Sequence, residues 1–340
     1  MKPKPHHAAT AQVLRDRRRL LIAGAATGGL WAAGLPAWAQ TDFPARPIRI
    51  IVPYSPGSGS DTLARTVAQG VTEKTGKAMF VENREGGGSL IGTLAAAKAA
   101  PDGYTILMAA NPTVIAPAGQ SRPQYHPTQD FVPVAKVGVI PLVLAASPSL
   151  GFKTVRDLIA YAKSNPGKLN YGSSGPGTSS QQAMEVFKQA AGVDIVEVPY
   201  KSTAQAMTDL IGGTLTLFPA VIPLVSQYIQ TGKAVGLAVF DTRRADSLPN
   251  VPAVTEEVNV SGYVPTPVWY GFLAPAGTPA AIVDMLSTMI NAAMDTSEAR
   301  TRLATLGARR ITVSNEQFAA DIKSEYETAG ALAKRLGTYQ

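Results

Sequence analysis

Ile48-Arg49-Ile50-Ile51-Val52-Pro53 runs straight into Tyr54-Ser55-Pro56-Gly57-Ser58-Gly59-Ser60-Asp61, and that in turn into Thr62-Leu63-Ala64-Arg65. A short β-branched run closed by proline predicts a buried strand at 48–53. Leu63, Ala64, Val67 and Val71 recur at helical spacing and predict a helix over 61–75. The order strand, glycine-rich turn, helix is then repeated. Residues 79–82 predict a second strand, 89–99 an alanine-rich helix closed by Pro101-Asp102-Gly103, and 104–108 a third strand. This rhythm implies an α/β protein with mostly parallel sheets flanked by helices.

A second series fills the middle of the chain. Strands are expected at 168–171, 195–198, 215–218 and 235–240, and helices at 155–164, 179–191, 203–211 and 221–229. Pro- and Gly-rich joints at 147–151 and 261–267 bracket the series, and a strand at 269–274 and a helix at 280–294 follow. The expected organisation is a discontinuous first domain, 40–144 with 261–340, and an inserted second domain, 145–260, with the two crossovers acting as a hinge.

Composition removes several function classes. The 340 residues include no cysteine, which excludes disulfide scaffolds, thiolate metal sites and cysteine nucleophiles. No metal site and no cofactor is expected. The net charge of +7 first suggests nucleic acid or an anionic membrane. Residues 1–39, however, hold six basic side chains against the single acid Asp16, so only +2 is left for the remainder and a nucleic-acid partner is not expected. After Arg19 the sequence is uncharged to Ala37-Trp38-Ala39, a small-x-small pattern that predicts a signal peptide over 1–39 cleaved before Gln40. The rival is a retained membrane anchor, disfavoured by the Ala, Gly and Thr content and by Pro36. Asp16-Arg17-Arg18-Arg19-Leu20-Leu21 resembles a twin-arginine signal, with Asp where Ser or Thr is preferred; a plain basic leader is the other reading. Export to a bacterial periplasm is expected either way.

Two loops carry the candidate chemistry. Tyr54, Ser55, Gly57, Ser58, Gly59, Ser60 and Asp61 lie between a strand and a helix, and so do Ser173, Ser174, Gly175, Thr178 and Ser179 in the second domain. Glycines there let backbone N–H groups turn inward at the positive end of a helix, which makes an anion cradle. In an open α/β sheet both lie at the carboxyl ends of strands, where ligands bind. Either loop alone reads equally as an ordinary turn with Ser60, Asp61 or Ser179 as helix cap. Neither is a P-loop or a dinucleotide fingerprint. Past the leader the one histidine is His126, in a proline-flanked loop, and neither a Gly-x-Ser-x-Gly elbow nor a zinc signature occurs. Binding without catalysis is the expectation.

The chain resembles the substrate-binding proteins of tripartite tricarboxylate transporters, the TctC or Bug (Bordetella uptake gene) family. The resemblance rests on motifs in order along the mature length, among them Pro47-Ile48-Arg49-Ile50-Ile51-Val52-Pro53-Tyr54, Val81-Glu82-Asn83-Arg84, Ala100-Pro101-Asp102-Gly103-Tyr104, Pro166-Gly167-Lys168-Leu169-Asn170-Tyr171-Gly172 and Trp269-Tyr270-Gly271-Phe272-Leu273-Ala274-Pro275. It implies a periplasmic Venus-flytrap clamshell, a monomer, that presents a small organic carboxylate to membrane transporter subunits. It also implies that Asn111, Thr113, Tyr200, Lys201, Ser202, Pro219 and Ala220 line the cleft beside the two loops. Two departures stand out. Ser55-Pro56-Gly57-Ser58 replaces the usual Pro-Pro-Gly-Gly, and Thr216 and Ala220 stand where Asp is frequent. Loss of those carboxylates suggests a ligand without an amino group, such as a di- or tricarboxylate or an aromatic acid. A sensor module for a receptor, or an exported hydrolase, are the alternatives in other classes.

Overall fold

The computed structural model describes residues 43–175, 177–257 and 267–337; the expected export segment and its cleavage site lie outside these. In chain order the elements are β1 (Ile48–Val52), α1 (Gly59–Thr75), β2 (Met79–Asn83), α2 (Leu90–Ala97), β3 (Thr105–Ala110), α3 (Asn111–Ala118), β4 (Phe131–Ile140), β5 (Leu142–Ala146), α4 (Val155–Ser164), β6 (Asn170–Ser173) and α5 (Ser179–Ala191). The chain continues with β7 (Val196–Pro199), α6 (Thr203–Gly212), β8 (Leu217–Val221), α7 (Ile222–Gln230), β9 (Val235–Val239), α8 (Val254–Glu257), β10 (Val268–Pro275), α9 (Ala280–Met294), α10 (Ser297–Thr305), β11 (Arg309–Arg310) and α11 (Asn315–Arg335). The α/β class and the two helix-flanked sheets are as the sequence predicts.

One sheet has the order β11-β4-β10-β3-β1-β2, the other β7-β6-β8-β5-β9. β1 is parallel to β2 and β3, and β6 to β7 and β8. The sheets are nevertheless mixed, because β10 runs antiparallel to β3 and β4, and β5 antiparallel to β8 and β9. The passage between sheets explains the reversal. β4 ends at Ile140 and β5 begins at Leu142 opposite Val221, the last residue of β8; β10 enters with Tyr270 opposite Ala110, the last residue of β3. A strand entered from the carboxyl end of its parallel neighbour has to run against it. The first passage is therefore at Pro141, whereas the expected joint at 147–151 is a short 3-10 turn, Pro148–Leu150, after β5.

Both faces of the second sheet are covered. Along β5, Leu142, Leu144 and Ala146 join Tyr171, Phe187, Leu217 and Phe240 on one side, while Val143 and Ala145 join Met207, Leu210, Phe218 and Ala220 on the other. Such two-sided burial produces near-continuous apolar strands instead of alternation. In the first sheet Ile51, Leu107, Trp269 and Leu273 pack with Phe318 and Ile322 of α11. Gly271 of β10 leaves room for that contact: a Cβ there would stand 2.6 Å from the Phe318 ring and 2.9 Å from the Ala135 carbonyl. Gly271→Ala is expected to cost about 1–3 kcal/mol through overpacking, read as a lowered urea midpoint with unchanged m-value.

Candidate functional site

The two loops share one construction. In the first, Gly57 is left-handed at φ 81°, Ser58 is the N-cap whose hydroxyl accepts from the Asp61 amide at 3.3 Å, and Asp61 Oδ2 accepts from the Gly57 amide at 2.9 Å. In the second, Gly177 is left-handed at φ 73°, Thr178 is the N-cap whose hydroxyl accepts from the Gln181 amide at 3.5 Å, and Gln181 Oε1 accepts from the Gly177 amide at 2.9 Å. The spacing Gly-Ser-x-x-Asp recurs as Gly-Thr-x-x-Gln. A helix leaves its first amides without intrahelical partners. Here the third helical residue reaches back over its own loop and its amide is capped. Gly59 and Ser60 on α1, and Ser179 and Ser180 on α5, are left as the first two amides of each helix, at its positive end.

Second contacts hold each loop in shape. Asp61 is buried and accepts also from Arg65 Nε at 3.0 Å and Asn83 Nδ2 at 2.9 Å. Burial works against its charge, but the bonds from Arg65, Gly57 and Asn83 outweigh that and hold the carboxyl below its usual range. Asp61 is thus a loop organiser with its charge already balanced. In the second loop, Glu197 of β7 accepts from Ser173 Oγ at 2.5 Å and Gln181 Nε2 at 2.9 Å, and Ser173 Oγ in turn accepts from the Gly175 amide at 2.9 Å. The Ser174 amide donates to Ser180 Oγ at 3.1 Å, and Thr178 Oγ1 to the Gly175 carbonyl at 2.7 Å. Ser55 is exposed and donates to Glu85.

Topology gathers the remaining predicted residues at the same ends of the strands. Loop 54–58 follows β1 and Asn111 follows β3; loop 174–178 follows β6, Tyr200 to Ser202 follow β7, and Pro219 and Ala220 close β8. The Tyr200 amide donates to the Ser173 carbonyl at 2.8 Å, which ties the β7 loop to the second cradle. Tyr200 Oη donates to Asp209 at 2.8 Å, and burial with that bond pushes its pKa up to about 12. Lys201 and Ser202 are exposed beside it. The Tyr54 hydroxyl is buried next to Thr113 and Ser89 without a well-aligned bond, and burial raises its pKa to about 12.

Other predicted residues turn inward. Asn111 donates to Glu325 at 2.6 Å and accepts from the Trp269 amide at 2.8 Å, and Thr113 Oγ1 accepts from the Ala110 amide at 3.4 Å. Ala220 faces the core with Phe218 and Met207. Thr216 stands at the amino end of β8, about 16 Å along the strand from Val221, where its amide donates to Asn170 Oδ1 at 2.7 Å. A carboxylate at 216 would not reach the loops, so that departure says nothing about the ligand.

Sequence reasoning missed Gln181, Glu197, Arg65 and Asn83. The repeated Gly-Ser/Thr-x-x-Asp/Gln spacing carried the signal for Gln181; the others are brought in by strand pairing. His126 stacks on Tyr326 at 4.5 Å between centroids and accepts from Thr128, a loop role. Among the described residues no three His, Cys, Asp or Glu gather as metal ligands, and no helix is long and apolar enough to cross a membrane.

A family model described as tripartite tricarboxylate transporter family receptor matches residues 63–338. BugT of Bordetella pertussis is 33% identical over 308 residues, covering 90% of this chain and 94% of BugT. A TctC solute binding protein from Polaromonas, solved with no ligand, superposes with a TM-score of 0.79 at 25% identity, over 86% of this chain and 100% of that one. Rpa4515 of R. palustris, solved with adipate, superposes with a TM-score of 0.64 at 32% identity, over 85% of this chain and 99% of that one.

Proposed function

The chain belongs to the tripartite tricarboxylate transporter receptor family, and from that premise we propose that it is an exported, periplasmic binding protein that captures a small organic carboxylate and hands it to membrane transporter subunits. The family and the fold are those of substrate-binding proteins, not of enzymes. The observation that carries the reading is the pair of matched caps, each leaving two helix-terminal amides at the carboxyl end of a parallel strand, one on each sheet.

Four amides contribute about 6–12 kcal/mol gross to an anion, at about 1.5–3 kcal/mol each. Micromolar affinity needs about 8 kcal/mol net, after several have gone to association. Closing the two lobes on the ligand supplies the difference by excluding water. The better superposition on a ligand-free relative, at lower identity than the adipate-bound one, supports an open conformer here. The carboxylates at the cradles, Asp61 and Glu197, are fully engaged, so none is free to receive an ammonium. The ligand is therefore a carboxylate without an amino group, in particular a linear dicarboxylate.

The test is a thermal-shift panel of mono-, di- and tricarboxylates, aromatic acids and amino acids. A dicarboxylate at about 100 times its Kd should add about 2.7 kcal/mol, or about 5 °C. Glutamate or aspartate binding more tightly than every simple carboxylate would overturn the ligand class.

A further inference from the structure

Away from the cradles, α3, the start of α5 and the end of α11 enclose a cavity of about 230 Å³. Ile115, Ala116, Ala329, Leu332 and Ala333 give it apolar walls, and no charged side chain lines it. Its polar members differ sharply in what they already do. Thr178 is bonded to Gly175, and Gln181 to Gly177 and Glu197. Gln182, only 2% exposed, has neither its amide nitrogen nor its amide oxygen bonded. Buried polar groups almost always find partners, and an unmade bond costs more than a made one contributes. A buried amide with a donor and an acceptor both open calls for a ligand that can answer both.

That requirement selects the chemistry. A carboxylate would satisfy the Gln182 N–H and leave its oxygen facing another acceptor, with an unpaired charge among apolar walls. A primary carboxamide accepts at its oxygen and donates at its nitrogen, closing a two-bond ring with Gln182. The volume corresponds to about seven water-sized groups, enough for a short chain behind that head. We propose that this cavity is a second binding pocket, distinct from the anion cradles, that takes a short neutral primary carboxamide paired on Gln182 with its chain against Ile115, Ala116 and Ala333. α3 and α11 pack on the first sheet and α5 on the second, so a bound amide touches elements of both.

The experiment measures valeramide and N,N-dimethylvaleramide binding by calorimetry to the purified chain and to Gln182→Leu, Ala333→Phe and Ser179→Pro variants. Expected are at least ten-fold tighter binding of valeramide than of its N,N-dimethyl form, a loss of ten-fold or more in Gln182→Leu and in Ala333→Phe, and no change in Ser179→Pro. Absence of valeramide binding, meaning a cavity that holds only water, overturns the proposal, as does equal affinity for both amides or indifference to Gln182→Leu. Loss in Ser179→Pro would place the amide in a cradle and also overturn it. Carboxylate binding, followed in parallel on the parent, stands or falls separately.

Discussion

Ser179→Pro is expected to weaken carboxylate binding about 10- to 100-fold and to leave the melting temperature within about 1 °C of the parent. Ser179 is the first residue of α5, where an amide has no intrahelical partner. Proline is well tolerated at that position because its fixed φ suits the first turn and its missing hydrogen was not needed there. Thr178, the residue before it, is already extended at φ −98° and ψ 157°, as a following proline requires. The substitution thus deletes one hydrogen at the cradle with little else disturbed. A charge-assisted hydrogen bond contributes about 1.5–3 kcal/mol, which sets the size of the loss. Ser297→Pro is the control: Ser297 is exposed and opens α10 behind Thr296 at φ −75° and ψ 156°, away from both loops. It should change neither quantity. Calorimetric titration and thermal melting of both variants decide the matter. Unchanged affinity in Ser179→Pro, or a large fall in its melting temperature, would show that this amide does not hold the ligand.

The same local chemistry explains what could be read from the chain beforehand. The strand at 48–53, the turn at 54–61 and the helix after it announce themselves because each sits in an unmixed local pattern: β-branched run, glycines, 3.6-residue period. β4 did not announce itself. Phe131–Ile140 carries Pro133 and Gly138, which read as breakers, and the strand accommodates Pro133 at an irregularity opposite Leu273. α3 was missed for a related reason, since Pro112 and Pro117 fall within eight residues, and it holds because Pro112 lies in the first turn. Strand direction leaves no trace in composition: β10 and β5 run antiparallel only because of where the chain enters each sheet. Within the site, the cradles were legible as loops, but the distribution of labour was not. Asp61 and Asn111 look like ligand-facing polar residues in sequence, and both are engaged inside the protein by partners 4 to 214 residues away.

Raising the pH from about 4.5 to 7 is expected to remove about 3 kcal/mol of folding stability through one side chain, Glu325 of α11. Its Oε1 accepts from Asn111 Nδ2 at 2.6 Å and its Oε2 from Trp269 Nε1 at 2.7 Å. Asn111 also donates to the Pro267 carbonyl at 3.3 Å, so the cluster pins the end of β3 to the point where the chain re-enters the first sheet. Burial raises the Glu325 pKa from 4.5 to about 7, against the opposing pull of those two donors and of Lys136, whose charge is shared with Asp321 at 2.7 Å. Between these two values the native state keeps a proton that the unfolded chain has released. Stability is therefore fully present below pH 4.5, falls as pH rises, and is lost above about 7. At 1.36 kcal/mol per unit the change is about 3 kcal/mol. Glu325→Gln removes the titration, but its amide must set N–H against either Trp269 N–H or the Asn111 amide, so one of the two bonds is lost. The variant should be about 1–3 kcal/mol less stable than the parent at pH 5 and should close or reverse that gap at pH 8. Urea unfolding at the two pH values measures both. Parallel pH profiles for parent and variant would show that Glu325 does not titrate in this range, and that the cluster is held by an ionised carboxylate whatever its burial.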